Sequence, residues 1–379
     1  MDALTLLSGD ARTFVDEVWA TRPHLHRASP RDLVALLGLD DVDHLLTDTA
    51  LRTPALRLAQ DGRVLASSRY TRSATLAGAP LTGLVDPRKV LDLVAAGATV
   101  VLQGLHRYWP PLTHLARDLE AALGHPCQVN AYLTPRGSQG FARHSDTHDV
   151  FVLQTHGRKR WQLYDGDGAP REVLLSPGTS MYLPTGTPHA ARTEESASLH
   201  VTVGINQITW RHVLGRVSEQ LLSADGLDQA VPAGYPTDPR ALSEGLTRRL
   251  AALAAATAAV DPAEVAWQET RRFLTSRPPV LRGALGDRLA LADIADDTML
   301  RRRRGSVCEL RPDGERLRVL LGDRELCVPA WLVDAVRHVR DHPELRPADL
   351  ADWLDPQSRL VLARRLVREG LLEVPARPT

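Results

Sequence analysis

The sequence predicts an α+β protein: a jelly-roll β-barrel in its middle, a helical region after it, and a small C-terminal unit of winged-helix type. Three observations carry this expectation. Between Thr99 and about Ile208, short alternating strand patterns are separated by Gly/Pro turns, the texture of an all-β segment. From Trp210 onward, apolar residues recur at helical spacing. The last stretch runs from two strand-like segments through three short helical patterns to a closing strand.

Taken in order, residues 1–100 read as mixed helix and irregular chain, with helices expected near Thr13–Ala20 and Asp86–Ala96. The barrel follows. In the next region Trp210, Val213, Leu214, Val217 and Leu221 fall on one helical stripe, and Leu242, Leu246, Leu250 and Leu253 on another. Asp238-Pro239 and Asp261-Pro262 each read as an N-cap followed by proline at the first helical position. Arg277-Pro278-Pro279 reads as a hinge. The C-terminal unit places strands at Val307–Leu310 and Leu317–Leu321 around the turn Pro312-Asp313-Gly314. Helices follow near 330–340, 347–354 and 356–369, then Gly370 as a C-cap and a strand at Leu371–Val374. On the last helix Arg364, Arg365 and Arg368 cluster opposite the apolar face, which reads either as a DNA-recognition helix or as a solvated basic face. The expected domains are 1–208, 209–290 and 291–379.

Composition narrows the function. Of 379 residues, Lys+Arg and Asp+Glu contribute 46 each, so the formal net charge is zero. A protein that grips nucleic acid needs cations to neutralise phosphates, so nucleic acid is not an expected partner. Cys127, Cys308 and Cys327 are odd in number, far apart and without CxxC spacing, which points to a reducing compartment. The opening MDALTLLSGDARTF lacks the basic start and long apolar run of a signal peptide, and no stretch approaches the ~20 apolar residues of a membrane span. A cytoplasmic protein is expected. Only two lysines occur, Lys89 and Lys159, and arginine supplies every other basic charge.

The chemistry lies in two motifs. In Gly140-Phe-Ala-Arg-His144-Ser-Asp146-Thr-His148, a strand would turn His144 and Asp146 to the same side. Downstream, Gly178-Thr-Ser-Met-Tyr-Leu-Pro184-Thr-Gly186-Thr-Pro-His189 stiffens the chain just before a histidine. The interval leaves room for the intervening strands of a jelly roll. Any one of these residues alone reads as a packed or solvated side chain. Together, His144, Asp146 and His189 are the two-histidine, one-carboxylate set of non-haem Fe(II) oxygenases, which leaves positions open for cosubstrate and O2.

The second motif resembles that of cupins. The run from Val101 to Ile205, including Gly104-Leu-His-Arg, Gln128-Val-Asn-Ala-Tyr, HSDTHDVFVLQ, GRKRW, YLPTGTPHAA and SLHVTVGI, is similar to JmjC-type cupins of the ribosomal-oxygenase kind. The resemblance extends over roughly residues 10–375. It implies a double-stranded β-helix core, a helical dimerisation region that makes a homodimer, and a C-terminal winged helix. It further implies Fe(II), 2-oxoglutarate as cosubstrate, and hydroxylation of an arginine or histidine side chain in a protein of the ribosomal kind. Ser145 stands where relatives often carry a bulky aromatic residue, which keeps the triad and leaves the substrate open. A hydroxylase of a peptide natural-product precursor or small molecule, or a non-catalytic metal-binding cupin regulator, are the competing readings.

Lys159 shares a strand face with Trp161 and Leu163, and a lysine there is costly unless an anion meets it. The resemblance makes that anion the far carboxylate of 2-oxoglutarate. The bland alternative is a strand-end lysine reaching water beside Gly157. Asn130 and Tyr132 share one face of their strand, as do Ser198, His200 and Thr202 of theirs, so polar groups would point into the barrel. Asn130, Tyr132 and Thr202 resemble residues lining the 2-oxoglutarate site in relatives. His200 either joins them or hydrogen-bonds behind them. His148 faces substrate or packs at the rim.

Overall fold

Asp2 and Asp10 start the chain's first two helices by accepting hydrogen bonds from Thr5 N (2.8 Å) and Thr13 N (2.6 Å), satisfying amides the helices themselves cannot. This is a computed structural model that describes residues 2–138, 143–164, 169–193, 196–223 and 226–375. The Gly140–Ala142 portion of the first motif lies outside the described residues. The chain divides into two compact units, Met1–Gln207 and Ile208–Thr379.

The first unit contains α1 (Ala3–Ser8), α2 (Ala11–Thr13), β1 (His24–Arg27), α3 (Pro30–Val34), α4 (Leu39–Thr47), β2 (Leu56–Gln60) and β3 (Arg63–Val64). The hairpin β4 (Thr71–Leu76) and β5 (Ala79–Val85), then α5 (Pro87–Ala95) and β6 (Thr99–Leu102), lead to α6 (Pro110–Leu123). The barrel continues with β7 (Cys127–Thr134), β8 (Asp149–His156), β9 (Lys159–Leu163), β10 (Arg171–Leu175), β11 (Thr179–Leu183), β12 (His189–Thr193) and β13 (Ser198–Ile205).

Three expectations need correction. The helix expected over Thr13–Ala20 is a π-helical turn, Phe14–Val18, and the chain leaves it because Ala20 N donates to the Tyr182 hydroxyl (2.9 Å). Residues before Thr99 carry more strand than their pattern announces, since β1 and β2 pair with β11 and β6. The span expected to be all-β contains α6. Pro110 opens it, Leu112, Leu115, Ala116 and Leu119 bury one helical face, and Gly124 closes it at φ 71°.

The major sheet has the order β1-β11-β8-β13-β7-β6-β2-β3, the smaller one β10-β9-β12. The main hydrophobic core lies outside the barrel. Val129 and Ala131 of β7 and Leu199, Val201 and Val203 of β13 pack with Leu4, Leu7, Leu33, Leu112 and Leu119 of the helices. The alternate residues of the same strands therefore face inward, and they are polar.

The second unit begins with α7 (Trp210–Leu222), α8 (Arg240–Ala258), α9 (Pro262–Leu274) and α10 (Ala284–Leu289). Asp261 caps α9 as expected, through Ala263 N (2.9 Å). Asp238 does not cap in the expected register, because α8 starts one residue later and Pro239 takes the cap position. The predicted stripes are only partly covered: Val213, Val217, Leu221, Leu242 and Leu253 are half-buried, whereas Trp210 is 80% exposed, Leu214 60%, Leu246 52% and Leu250 55%.

Strands β14 (Leu300–Arg302), β15 (Glu309–Asp313), β16 (Arg316–Leu320) and β17 (Glu325–Pro329) precede α11 (Val333–Asp341), β18 (Glu344–Leu345), α12 (Pro356–Arg368) and β19 (Leu372–Glu373). This segment has its own core of Leu300, Leu317, Val319, Val336, Val339, Leu362, Leu366 and Leu372. β14, β17 and β18 form where the sequence pattern announces no strand, and the helix expected over 347–354 is a single 3-10 turn, Pro347–Leu350. On α12, Arg364 donates to the carbonyls of Ala292 (3.2 Å) and Ile294 (2.8 Å), while Arg365 pairs with Glu369 at 2.7 Å. No single described helix is long and apolar enough to cross a membrane.

Candidate metal centre

His144 and Asp146 do not sit on a continuous strand, as the i, i+2 argument required; β8 begins only at Asp149. Their placement comes from cross-chain bonds instead. His144 and His189 form an isolated antiparallel bridge, exchanging N–H···O bonds of 3.0 and 2.7 Å. The Asp146 carbonyl accepts from Gly186 N at 2.9 Å, which fixes the carboxylate-bearing residue against the turn preceding His189.

The result is one cluster. A nitrogen of each histidine and a carboxylate oxygen of Asp146 all lie within 4.8 Å of one another, and His189 Nε2 is 3.8 Å from Asp146 Oδ2. His189 Nδ1 lies 3.0 Å from the Thr187 carbonyl, which can only accept, so Nδ1 carries the proton and Nε2 keeps its lone pair for a metal. Burial lowers the His189 pKa, and the neighbouring His144 imidazole lowers it further; the Thr187 carbonyl and Asp146 oppose the shift. A neutral imidazole is the form that ligates. Two such nitrogens and one carboxylate fit a divalent first-row metal with open positions, rather than an oxygen-only ion such as calcium.

Behind the cluster lies a cavity of about 260 Å³. Asn130, Tyr132, Lys159, Thr202, His200 and His148 line it together with the three candidate ligands. The inward faces read from alternation in β7, β9 and β13 thus converge on one space. Asn130 Oδ1 accepts from Gly104 N (3.0 Å), and the ring of His200 stacks on Tyr132 at 5.0 Å. His148 enters because Gly204 has no side chain: a Cβ there would stand 2.6 Å from the imidazole Nε2.

Lys159 is not a strand-end lysine reaching water. It is 3% exposed, its ammonium donates to the Thr134 hydroxyl at 3.3 Å, and burial pushes its pKa down to about 7. Burial also holds His200 well below the usual imidazole range, with nearby Lys159 and His189 lowering it further. Among the described lining residues Asp146 is the one acid, against the cations Arg57 and Lys159. Basic side chains thus outnumber acidic ones in the described lining.

The sequence reading missed Arg57, Thr99, Thr134 and Trp161 in this lining. Thr134 and Trp161 were within reach, being two residues beyond Tyr132 and Lys159 on the same strand faces. Arg57 and Thr99 were not. They come from β2 and β6, and only the register Arg57–Val101–Tyr132–His200 across four strands sets Arg57 beside the site.

Comparison with known proteins agrees with this architecture. A family profile described as the JmjC domain matches residues 109–213. Ribosomal oxygenase 2 of Rattus norvegicus is 33% identical over 159 residues, covering 37% of this chain and 34% of that protein. A bifunctional lysine-specific demethylase and histidyl-hydroxylase of Drosophila willistoni is 33% identical over 146 residues, 33% of this chain and 19% of that protein. The chain thus spans about a third or less of the length of these curated relatives. Among solved structures, the ribosomal oxygenase YcfD of Escherichia coli covers 97% of this chain and 98% of its own at 18% identity, with a TM-score of 0.55. A second YcfD structure, in complex with cobalt and 2-oxoglutarate, matches 96% and 98% at 17% identity and TM-score 0.53. At such identities these structures speak for the fold. Residues 109–213 thus match the JmjC domain, and over that stretch the chain is similar to the ribosomal oxygenases.

Proposed function

We propose that the chain is an Fe(II)- and 2-oxoglutarate-dependent oxygenase that hydroxylates a protein side chain, an arginine or histidine in a substrate of the ribosomal-protein kind. The carrying observation is one cavity with a two-histidine, one-carboxylate cluster on its wall and, lining it, a buried ammonium that donates to the neutral Thr134 hydroxyl. A dicarboxylate that chelates a metal at one end and meets Lys159 at the other matches both features. The relatives, a ribosomal oxygenase and a histidyl-hydroxylase, support a protein substrate.

His144, Asp146 and His189 would hold the metal, and Lys159, Asn130, Tyr132 and Thr202 would line the cosubstrate. When bound, Fe(II) with 2-oxoglutarate and O2 supplies C–H hydroxylation, with succinate and CO2 as co-products. The chain's own part is positional. Thr187 keeps the His189 tautomer, Gly186 holds Asp146, and Thr134 steadies the Lys159 ammonium. The barrel walls shelter the site from water.

The same reading takes residues 209–290 as a dimerisation region, supported by the exposed apolar residues Trp210 and Leu214 of α7 and Leu246 and Leu250 of α8, and residues 291–379 as a winged-helix unit. Arg364, tied to two carbonyls, favours a structural basic face over a DNA-reading one. We place the protein in the cytoplasm, as a homodimer, with no nucleic-acid partner. The test is mass spectrometry of ribosomal proteins from wild-type and deletion cells. Loss of a one-oxygen mass increment on one peptide, restored by the purified chain with Fe(II) and 2-oxoglutarate, is expected. Turnover confined to small molecules or non-ribosomal peptides would overturn the substrate assignment.

A further inference from the structure

Asp149 is a fully buried carboxylate that touches neither the cavity nor the candidate ligands. Four neutral donors surround it. Thr185 gives both its backbone N–H and its hydroxyl to Oδ1, each at 2.7 Å. Gln207 Nε2 (2.9 Å) and the Tyr182 hydroxyl donate to Oδ2. A carboxylate with both oxygens occupied in this way holds its partners in fixed geometry.

Those partners are not scattered. Thr185 lies in the turn Pro184–Thr187, whose next residue, Gly186, binds the Asp146 carbonyl (2.9 Å), and whose Thr187 carbonyl receives the His189 Nδ1 proton (3.0 Å). Asp149 is itself the first residue of β8, directly after the stretch bearing His144 and Asp146. It therefore clamps the turn before His189 to the segment after Asp146. We propose that Asp149 is the positioning residue of the metal centre, acting through Thr185 to set the separation of Asp146 from His189. This rests on the reading of His144, Asp146 and His189 as metal ligands.

The probe is Co(II) titrated into the metal-free full-length chain, followed by its visible absorption. Thr185→Val removes the hydroxyl donor while keeping the backbone N–H, and Asp149→Asn alters the acceptor itself. Loss of a group that orients ligands commonly costs 10–100-fold in metal affinity, so both should weaken Co(II) binding by about tenfold and alter the absorption bands. Tyr182→Phe is the control. Tyr182 connects Asp149 to Ala20 rather than to the turn, so its loss should lower the melting temperature and leave Co(II) affinity within about twofold, well short of that range. If Thr185→Val and a folded Asp149→Asn bind Co(II) like wild type with unchanged spectra, the proposal is overturned and Asp149 is only a stabilising residue. If Asp149→Asn does not fold, Thr185→Val against Tyr182→Phe decides. Wild-type protein that fails to bind Co(II) would instead refute the metal centre, and with it this role.

Discussion

Replacing Lys159 by alanine removes one of the two cations lining the cavity while leaving Arg57 and the three candidate metal ligands in place. The magnitude follows from what the cavity already does to that lysine. Burial takes its pKa from 10.5 to about 7, a change that corresponds to roughly 5 kcal/mol of unfavourable charge burial. A bound carboxylate offsets that cost, and without the ammonium the carboxylate is buried without this partner. Losing one partner of a buried pair costs about 3–5 kcal/mol, on the order of 10²–10³-fold or more in affinity. The assay is anaerobic titration of 2-oxoglutarate into Fe(II)-loaded protein, read by charge-transfer absorption, with metal content measured in parallel. Lys159→Ala should lose affinity by that factor with its iron retained, and Lys159→Arg should keep part of it, since a guanidinium also holds a carboxylate but must fit the same space. The pH dependence has a definite sign. The unbound lysine titrates near 7, and the bound form keeps its proton to higher pH, so affinity is constant below about 7 and falls above it. In the ligand-free protein the unfolded lysine holds its proton more tightly, so stability rises as pH goes from about 7 to 10.5. Unchanged affinity in Lys159→Ala, or a flat pH profile, would refute the argument.

Further outcomes are expected. His144→Ala, Asp146→Ala and His189→Ala should each abolish 2-oxoglutarate turnover with the circular dichroism of the fold preserved, and Asp146→Glu should fail as well because the added methylene displaces the carboxylate; full Fe(II)-dependent turnover in any one would remove that residue from the triad. Sedimentation at micromolar concentration should give a dimer, and Trp210→Asp together with Leu214→Asp should give a monomer; a monomeric wild type would make the exposed apolar residues of α7 and α8 something other than a pairing surface. Asp287→Ala should destabilise the second unit by about 1.5–3 kcal/mol, because Arg303, 2% exposed, would lose one of its two carboxylate partners and keep only Glu373 at 3.4 Å; a denaturation midpoint equal to wild type would contradict this.

Alternation of residue type along β7, β9 and β13 is a local property, so the sequence by itself determined which of their side chains face inward. The same holds for the Pro184–His189 turn and for the helical stripes, whose residues repeat at the spacing that helix geometry demands. What fails is whatever depends on pairing between distant segments. His144 and Asp146 come together through the bridge to His189 and the Gly186 bond, not through a strand of their own. Arg57 enters the cavity because β2 pairs with β6 and β6 with β7, a register no local pattern specifies. Asp149 reads as one more polar residue three places after Asp146 until Thr185, Tyr182 and Gln207 are folded onto it. A strand's period tells each side chain which face it takes; only the packed barrel decides which faces meet, and whether a lysine among them is left with water or with a closed cavity.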